Sequence, residues 1–311
     1  MTTADTDRVA AASAPAGMSV SAFVRLLLLA AIWGCSFLFI KVALEGLAPT
    51  QIVLGRITLG AATLAVIVAV RHGRMPRDLT TWAHLAFVSV LNNLLPFFLF
   101  AWGEQRVASS LAGIYNATTP LFTLLVAMAA LPAERPTRAR FAGIALGFLG
   151  VVVVLAPWRG VAGSSLTGQL ACLTAGGCYG FGIVYTRRFL SGRGHAPLVL
   201  AAGQLICSSA ILLLAVPLWV GHAPRLAPSV VASILALGIL GTGIAYLIFY
   251  RLIGEIGATS ASTVTYVIPL IAVALGVVAL GEHIGWNDFA GAAVVVAGIA
   301  VAEGRLVRRR L

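Results

Sequence analysis

Arg56 lies about two turns inside an apolar run, Ile52–Val70. A guanidinium offers five N–H donors in a planar fork that suits a carboxylate. Burying one far from water is costly, so such residues usually mark a substrate or ion path. Two structural roles compete: bonding carbonyls of a neighbouring helix, or reaching outward to the membrane interface. Asn92 and Asn93 interrupt a second apolar run just before Pro96. Their carboxamides donate and accept, which suits a zwitterion, though a plain helix–helix hydrogen bond needs the same groups. Tyr115, Asn116, Thr118 and Thr119 lead into Pro120, and Tyr266 lies close before Pro269. Proline removes a helix hydrogen bond and frees carbonyls, so Pro96, Pro120 and Pro269 are read as helix kinks. Trp33, Tyr179 and Tyr246 add aromatic surface for apolar side chains. Trp102 and Tyr250, at run ends, read as interfacial anchors.

The elements that position these residues come in two copies. Pro120 and Pro269 are 149 residues apart, and Phe141-Ala142-Gly143 returns as Phe289-Ala290-Gly291 at an offset of 148. At that same offset Gln204 is the partner of Arg56, so the two copies differ in charge. Trp33-Gly34 matches Tyr179-Gly180 at an offset of 146. The candidate cavity therefore comprises Trp33, Arg56, Asn92, Asn93, Tyr115, Asn116, Tyr179, Gln204, Tyr246 and Tyr266.

Sixty per cent of residues are apolar, ten per cent are charged, and mean hydropathy is +0.99. A soluble domain carries about a quarter charged residues, so these values require a polytopic membrane protein. A spanning helix needs about 20 mostly apolar residues. Ten segments qualify: Leu26–Leu44, Ile52–Val70, Trp82–Trp102, Val107–Leu131, Phe141–Ala156, Leu166–Tyr185, Pro197–Val220, Ser229–Tyr250, Ile256–Leu280 and Trp286–Ala302. The fold class is thus all-α, ten transmembrane helices as two inverted five-helix repeats. An odd number of spans per repeat reverses the second copy, a transporter pattern with the site at the repeat interface. The repeats are placed at residues 21–157 and 164–304, flanked by a disordered tail, 1–20, and a basic tail, 305–311. With both termini inside, sixteen of the 21 Lys and Arg fall on the inner side. Only Arg106, Arg159 and Arg225 fall outside, while Lys41 and Arg56 lie within spans. That imbalance predicts cytoplasmic termini.

Other chemistry is excluded or weakly supported. The net charge of +11 is spread over loops, which does not suit nucleic acid. Cys35, Cys172, Cys178 and Cys207 lie in apolar runs, so neither a disulfide nor a metal site is expected. His72, His84, His195, His222 and His283 are scattered, His84 being assigned to the interface, and no catalytic constellation or phosphate-binding loop is present. No cofactor is expected. All ten Asp and Glu are assigned near or outside the membrane surfaces, Glu45 and Glu104 among them, so facilitated or weakly coupled transport driven by the substrate gradient is expected. Lys41 is assigned an i,i+4 pair with Glu45. The fifth and tenth spans, rich in glycine (Gly143, Gly147, Gly150; Gly291, Gly298), read as scaffold or subunit contact, or as plain lipid-facing helices.

The motif Ala31-Ile32-Trp33-Gly34-Cys35-Ser36-Phe37, with Arg56, Pro120 and Pro269 in order on a five-plus-five repeat, resembles the EamA family of the drug/metabolite transporter superfamily. The resemblance covers residues 25 to 304 and is nearest the YddG-type amino-acid exporters. It implies a ten-helix carrier in a bacterial-type inner membrane, exporting small amphipathic metabolites, amino acids foremost, by alternating access. The expected partners are the lipid bilayer and a small-molecule substrate, with the chain a monomer or weak homodimer. A nucleotide-sugar or sugar-phosphate exchanger would need several buried cations, and only Arg56 is so placed. A channel or membrane-embedded enzyme is the alternative of another class.

Overall fold

A computed structural model describes residues 19–131, 137–156, 165–215 and 223–302. Residues 1–18 of the expected first tail (1–20), the whole of the expected basic tail (305–311) and the end of the seventh span, 216–220, lie outside these residues. Ten helical rods run through the described chain: α1 (Val20–Ala43), α2 (Pro49–Val70), α3 (Leu79–Glu104), α4 (Ser109–Ala130), α5 (Arg138–Leu155), α6 (Leu166–Phe189), α7 (Pro197–Ala215), α8 (Pro228–Gly257), α9 (Val264–Leu280) and α10 (Trp286–Ala302). Seven of them have the length and hydropathy to cross a membrane unaided. α9 and α10 are shorter, 17 residues each, and α6 is diluted by Gly, Gln and a terminal Arg pair. Many outward side chains are large and apolar, such as Leu214 and Val278, over 80% exposed, as suits a lipid-facing surface.

The rods alternate in direction. On one face, the α1–α2 turn meets the segment before α8 (Arg225 N–H to Gly46 O, 2.9 Å). On that face too, Glu282 between α9 and α10 takes the Ser109 N–H at the start of α4, 2.7 Å. On the opposite face Arg25 of α1 pairs with Glu255 of α8 at 2.6 Å, and Arg193 lies 3.7 Å from Asp78. Of the described basic residues outside the spans, only Arg106 and Arg225 sit on the first face; the terminus-bearing second face holds the others.

Several rods are broken for identifiable reasons. In α3, Val90–Leu94 is π-helical, immediately before Pro96. In the corresponding α8, Ala236–Ile244 is π-helical, within a run holding Gly238, Gly241 and Gly243. α4 is interrupted at Ala117 and Thr118, and Pro120 starts its second half, where the missing N–H costs nothing. Pro269 instead lies inside α9. Gly257, at φ 77°, ends α8 in a conformation open mainly to glycine, and one helical turn to Ala261 precedes α9.

α5 and α10 pack on each other and touch little beyond α4. Their contact is backbone on backbone. A Cβ at Gly150 would lie 2.6 Å from Val295 N and 2.8 Å from Gly291 O. Small residues permit this approach, and dispersion and polar backbone contacts hold it where water exclusion supplies little.

Candidate substrate-binding site

Arg56 is buried, 8% exposed, in the middle of the bundle. It has not reached outward to an interface. Its Nε donates to Thr242 Oγ1 at 3.1 Å, and its guanidinium carbon stands 3.9 Å from the Phe97 ring centroid. Tyr179 and Tyr246 approach closely enough to interact with it electrostatically. The four terminal N–H donors of Arg56 make no hydrogen bond among the described residues.

The two π-helical segments build this environment. A π-turn rotates the following residues and loosens the carbonyl ladder, which is why such turns recur at functional sites. In α3 it presents Asn92 and Asn93. Asn92 Nδ2 donates to Gln204 Oε1 at 3.2 Å, and Asn92 lies against Gly182, where a Cβ would collide with it. Tyr246 Oη reaches Asn93 Oδ1 at a long 3.5 Å. In α8 the π-turn frees the Gly241 carbonyl, which accepts from Trp33 Nε1 at 3.2 Å, and aims Thr242 at Arg56. These four contacts each join one repeat to the other. Asn92 Oδ1 and Asn93 Nδ2 are buried without a partner among the described residues.

The remaining candidates lie in varied surroundings. Tyr179 packs near Phe100, ring centroids 6.2 Å apart, and Tyr266 is half-buried against the same core cluster. Tyr115 is fully buried and its hydroxyl donates to Gln169 Oε1 at 2.5 Å, so it serves the packing of α4 on α6. Asn116, half-buried, ends the first half of α4. A hollow of about 330 Å³ opens on the terminus-bearing face beside Arg71, Pro197 and Tyr250. Tyr250 is one turn from Tyr246, so this hollow ends next to the polar cluster. His84 bonds Tyr185 Oη at 2.7 Å and stacks on Phe189.

Two expectations need correction. Lys41 does not pair with Glu45. Its ammonium donates to the carbonyls of Glu104 (2.5 Å) and Val107 (2.9 Å), capping the end of α3, where a cation also meets the negative end of the helix dipole. Glu104 is not a surface loop residue: α3 extends to it and it is fully buried. α5 and α10, read as scaffold or as plain lipid-facing helices, spend their glycine faces on each other, as the scaffold reading has it. Sequence reasoning also passed over Thr242 and Phe97; the one signal was the dense glycine spacing around Thr242.

A helical bundle with alternating rods, an apolar outer surface and a polar cluster at the junction of two repeats defines a multi-pass membrane transporter. The EamA-like transporter family matches residues 21–156 and again 166–303, and the chain belongs to that family. A probable terminal-alkyne amino-acid exporter of Streptantibioticus cattleyicolor is 28% identical over 94% of this chain and 97% of its own length. An uncharacterised transporter of Archaeoglobus fulgidus is 27% identical, over 93% and 99%. The uncharacterised inner membrane transporter YedA of Escherichia coli is 25% identical, over 88% of each. A solved crystal structure superposes with a TM-score of 0.64 at 22% identity, covering 92% of this chain and 99% of that one, a likeness of fold.

Proposed function

We propose that the protein exports small amphipathic metabolites, amino acids foremost, across a bacterial-type inner membrane by alternating access at the repeat interface. The observation that carries this is the Arg56 guanidinium, buried, with four unbonded N–H donors beside aromatic rings and two unpartnered carboxamide atoms. That set complements a carboxylate, a second polar group and an apolar side chain in one ligand. A single buried guanidinium suits one carboxylate better than a diphosphate. The amino-acid exporter among the relatives supports the same class. The excess of Arg on the terminus-bearing face supports cytoplasmic termini. A monomer satisfies the description; the α5–α10 faces already satisfy each other.

The test is counterflow. Purified protein in liposomes loaded with unlabelled L-amino acids, singly, should drive saturable entry of the same labelled amino acid. Entry that never saturates would point to a channel. No counterflow with any amino acid, while sugar phosphates exchange, would overturn the substrate class.

A further inference from the structure

Glu104 is the last residue of α3 and is 0% exposed. Neither carboxyl oxygen has a hydrogen-bond partner among the described residues. The charged or titratable groups facing it come from every neighbouring element: Lys41 of α1, Arg56 of α2, Cys172 of α6 and Glu282 of the α9–α10 turn. None makes an ion pair or hydrogen bond with its carboxyl. Lys41 spends its ammonium on two carbonyls, one of them that of Glu104 itself. Glu282 is committed to Ser109 and Ser110. The next residues, Gln105 and Arg106, are exposed, so the carboxyl lies just beneath one face of the bundle.

An ionised carboxylate stripped of water with no donor costs far more than a neutral carboxylic acid in the same place. This packing therefore accepts the acid. A movement that lifts the α9–α10 turn off the end of α3 admits water to the carboxyl, which then ionises with the Lys41 ammonium, held at the Glu104 carbonyl, close by. Both arrangements are then satisfied, each with a different proton count.

We propose that Glu104 is a proton-binding site, holding one proton while the face of the α3–α4 turn is shut and releasing it when that face opens. The proton passes to water of the adjoining solution and returns from it. Opening then becomes tenfold more favourable per pH unit between the carboxyl's titration in the open form and its titration in the shut form, and levels off above the latter. The inference rests on the alternating-access reading but not on any substrate.

Cys172 reports on it, being fully buried and next to Gly103, where a Cβ would collide with its sulfur. In a protein whose other three cysteines are serine, a membrane-impermeant maleimide should label Cys172 at least about tenfold faster with Glu104 present than in Glu104→Gln, in mildly alkaline buffer. In acidic buffer the two rates should match, because both carry a neutral side chain. A carboxylate beside a thiol opposes its ionisation, so the direct electrostatic effect of Glu104 on Cys172 works against the expected difference and cannot produce it. Infrared spectra of the wild type in liposomes should show a protonated-carboxyl band that titrates and is missing from Glu104→Gln. Should Glu104→Gln not fold, Glu104→Asp keeps the acid and should keep the pH dependence with a displaced midpoint. Equal labelling at alkaline pH, or no such band in the wild type, would overturn the proposal. Failure of amino-acid counterflow would leave both readouts unaffected, so the two readings fail separately.

Discussion

Two of the regions where the halves of the molecule meet are built oppositely. The α5–α10 contact joins two equivalent helices through glycine, backbone against backbone, with no polar side chain between Gly143 and Gly150. The Arg56 cluster also joins the halves, but through side-chain tips: Arg56 to Thr242, Asn92 to Gln204, Asn93 to Tyr246 and Trp33 to Gly241. Two of those tips keep an unpartnered atom. A contact made of backbone has no rotamers with which to rearrange, and separating it uncovers peptide groups. A contact made of long polar side chains and π-turns can exchange partners at low cost. If the protein works by alternating access as proposed, the difference predicts permanence for the first region and movement for the second.

The largest effect should come from the permanent region. Gly150→Leu places a whole side chain where even a Cβ would lie 2.6 Å from Val295 N. Overpacking costs roughly 1–3 kcal/mol where side chains can shift, and here only backbone could yield. The expected outcome is loss of a monodisperse peak on size exclusion, or a large fall in melting temperature. Wild-type stability with the leucine would show that α5 and α10 are free to part.

Next come Arg56→Ala and Arg56→Lys. A charge-assisted hydrogen bond contributes about 1.5–3 kcal/mol, so counterflow should fall about 10- to 100-fold in Arg56→Ala. The melting temperature should stay close to wild type, since Nε spends one bond on Thr242 and no ion pair is lost. Arg56→Lys keeps the charge without the planar fork and should fall between the two. Full transport by Arg56→Ala at normal protein levels would remove this cluster from the substrate path.

This contrast was only half legible in the sequence. Five apolar runs per copy, the proline pair and the Arg distribution gave ten rods and their alternation, because each rests on local composition. Glycine spacing marked α5 and α10 as scaffold helices for the same reason, but not as each other's partner. Arg56, Asn92 and Asn93 stood out because polar groups in apolar runs are rare. Their partners did not: Thr242 looks like any helical threonine until the π-turn directs it, and that turn follows from tertiary packing. Glu104 was misplaced because hydropathy ends the third span at Trp102, whereas α3 runs on to Glu104, whose carbonyl accepts from Lys41 on a distant segment. Tyr115 sat beside a kink, yet its hydroxyl belongs to Gln169, a pairing no spacing rule reveals.

The smallest effect should be at Glu282, which ties the two regions' ends together by capping the start of α4. Its oxygens accept from the Ser109 and Ser110 N–H groups at 2.7 and 3.0 Å and from the Ser110 hydroxyl. Partial burial alone would push its carboxyl up, but the Ser110 hydroxyl and the two N–H donors outweigh this and hold it below the ordinary range. A carboxyl lowered in the folded state stabilises the fold above its unfolded value, about 4.3, and loses that stabilisation as pH falls through the folded value. Glu282→Gln should therefore lower the melting temperature modestly at neutral pH, on the scale of a helix cap, about 1 kcal/mol. The gap between variant and wild type should close in acid, below about pH 4. A gap that persists unchanged there would mean the carboxylate acts through shape alone. A gap that widens would reverse the sign and place the proton, rather than the charge, at the start of α4.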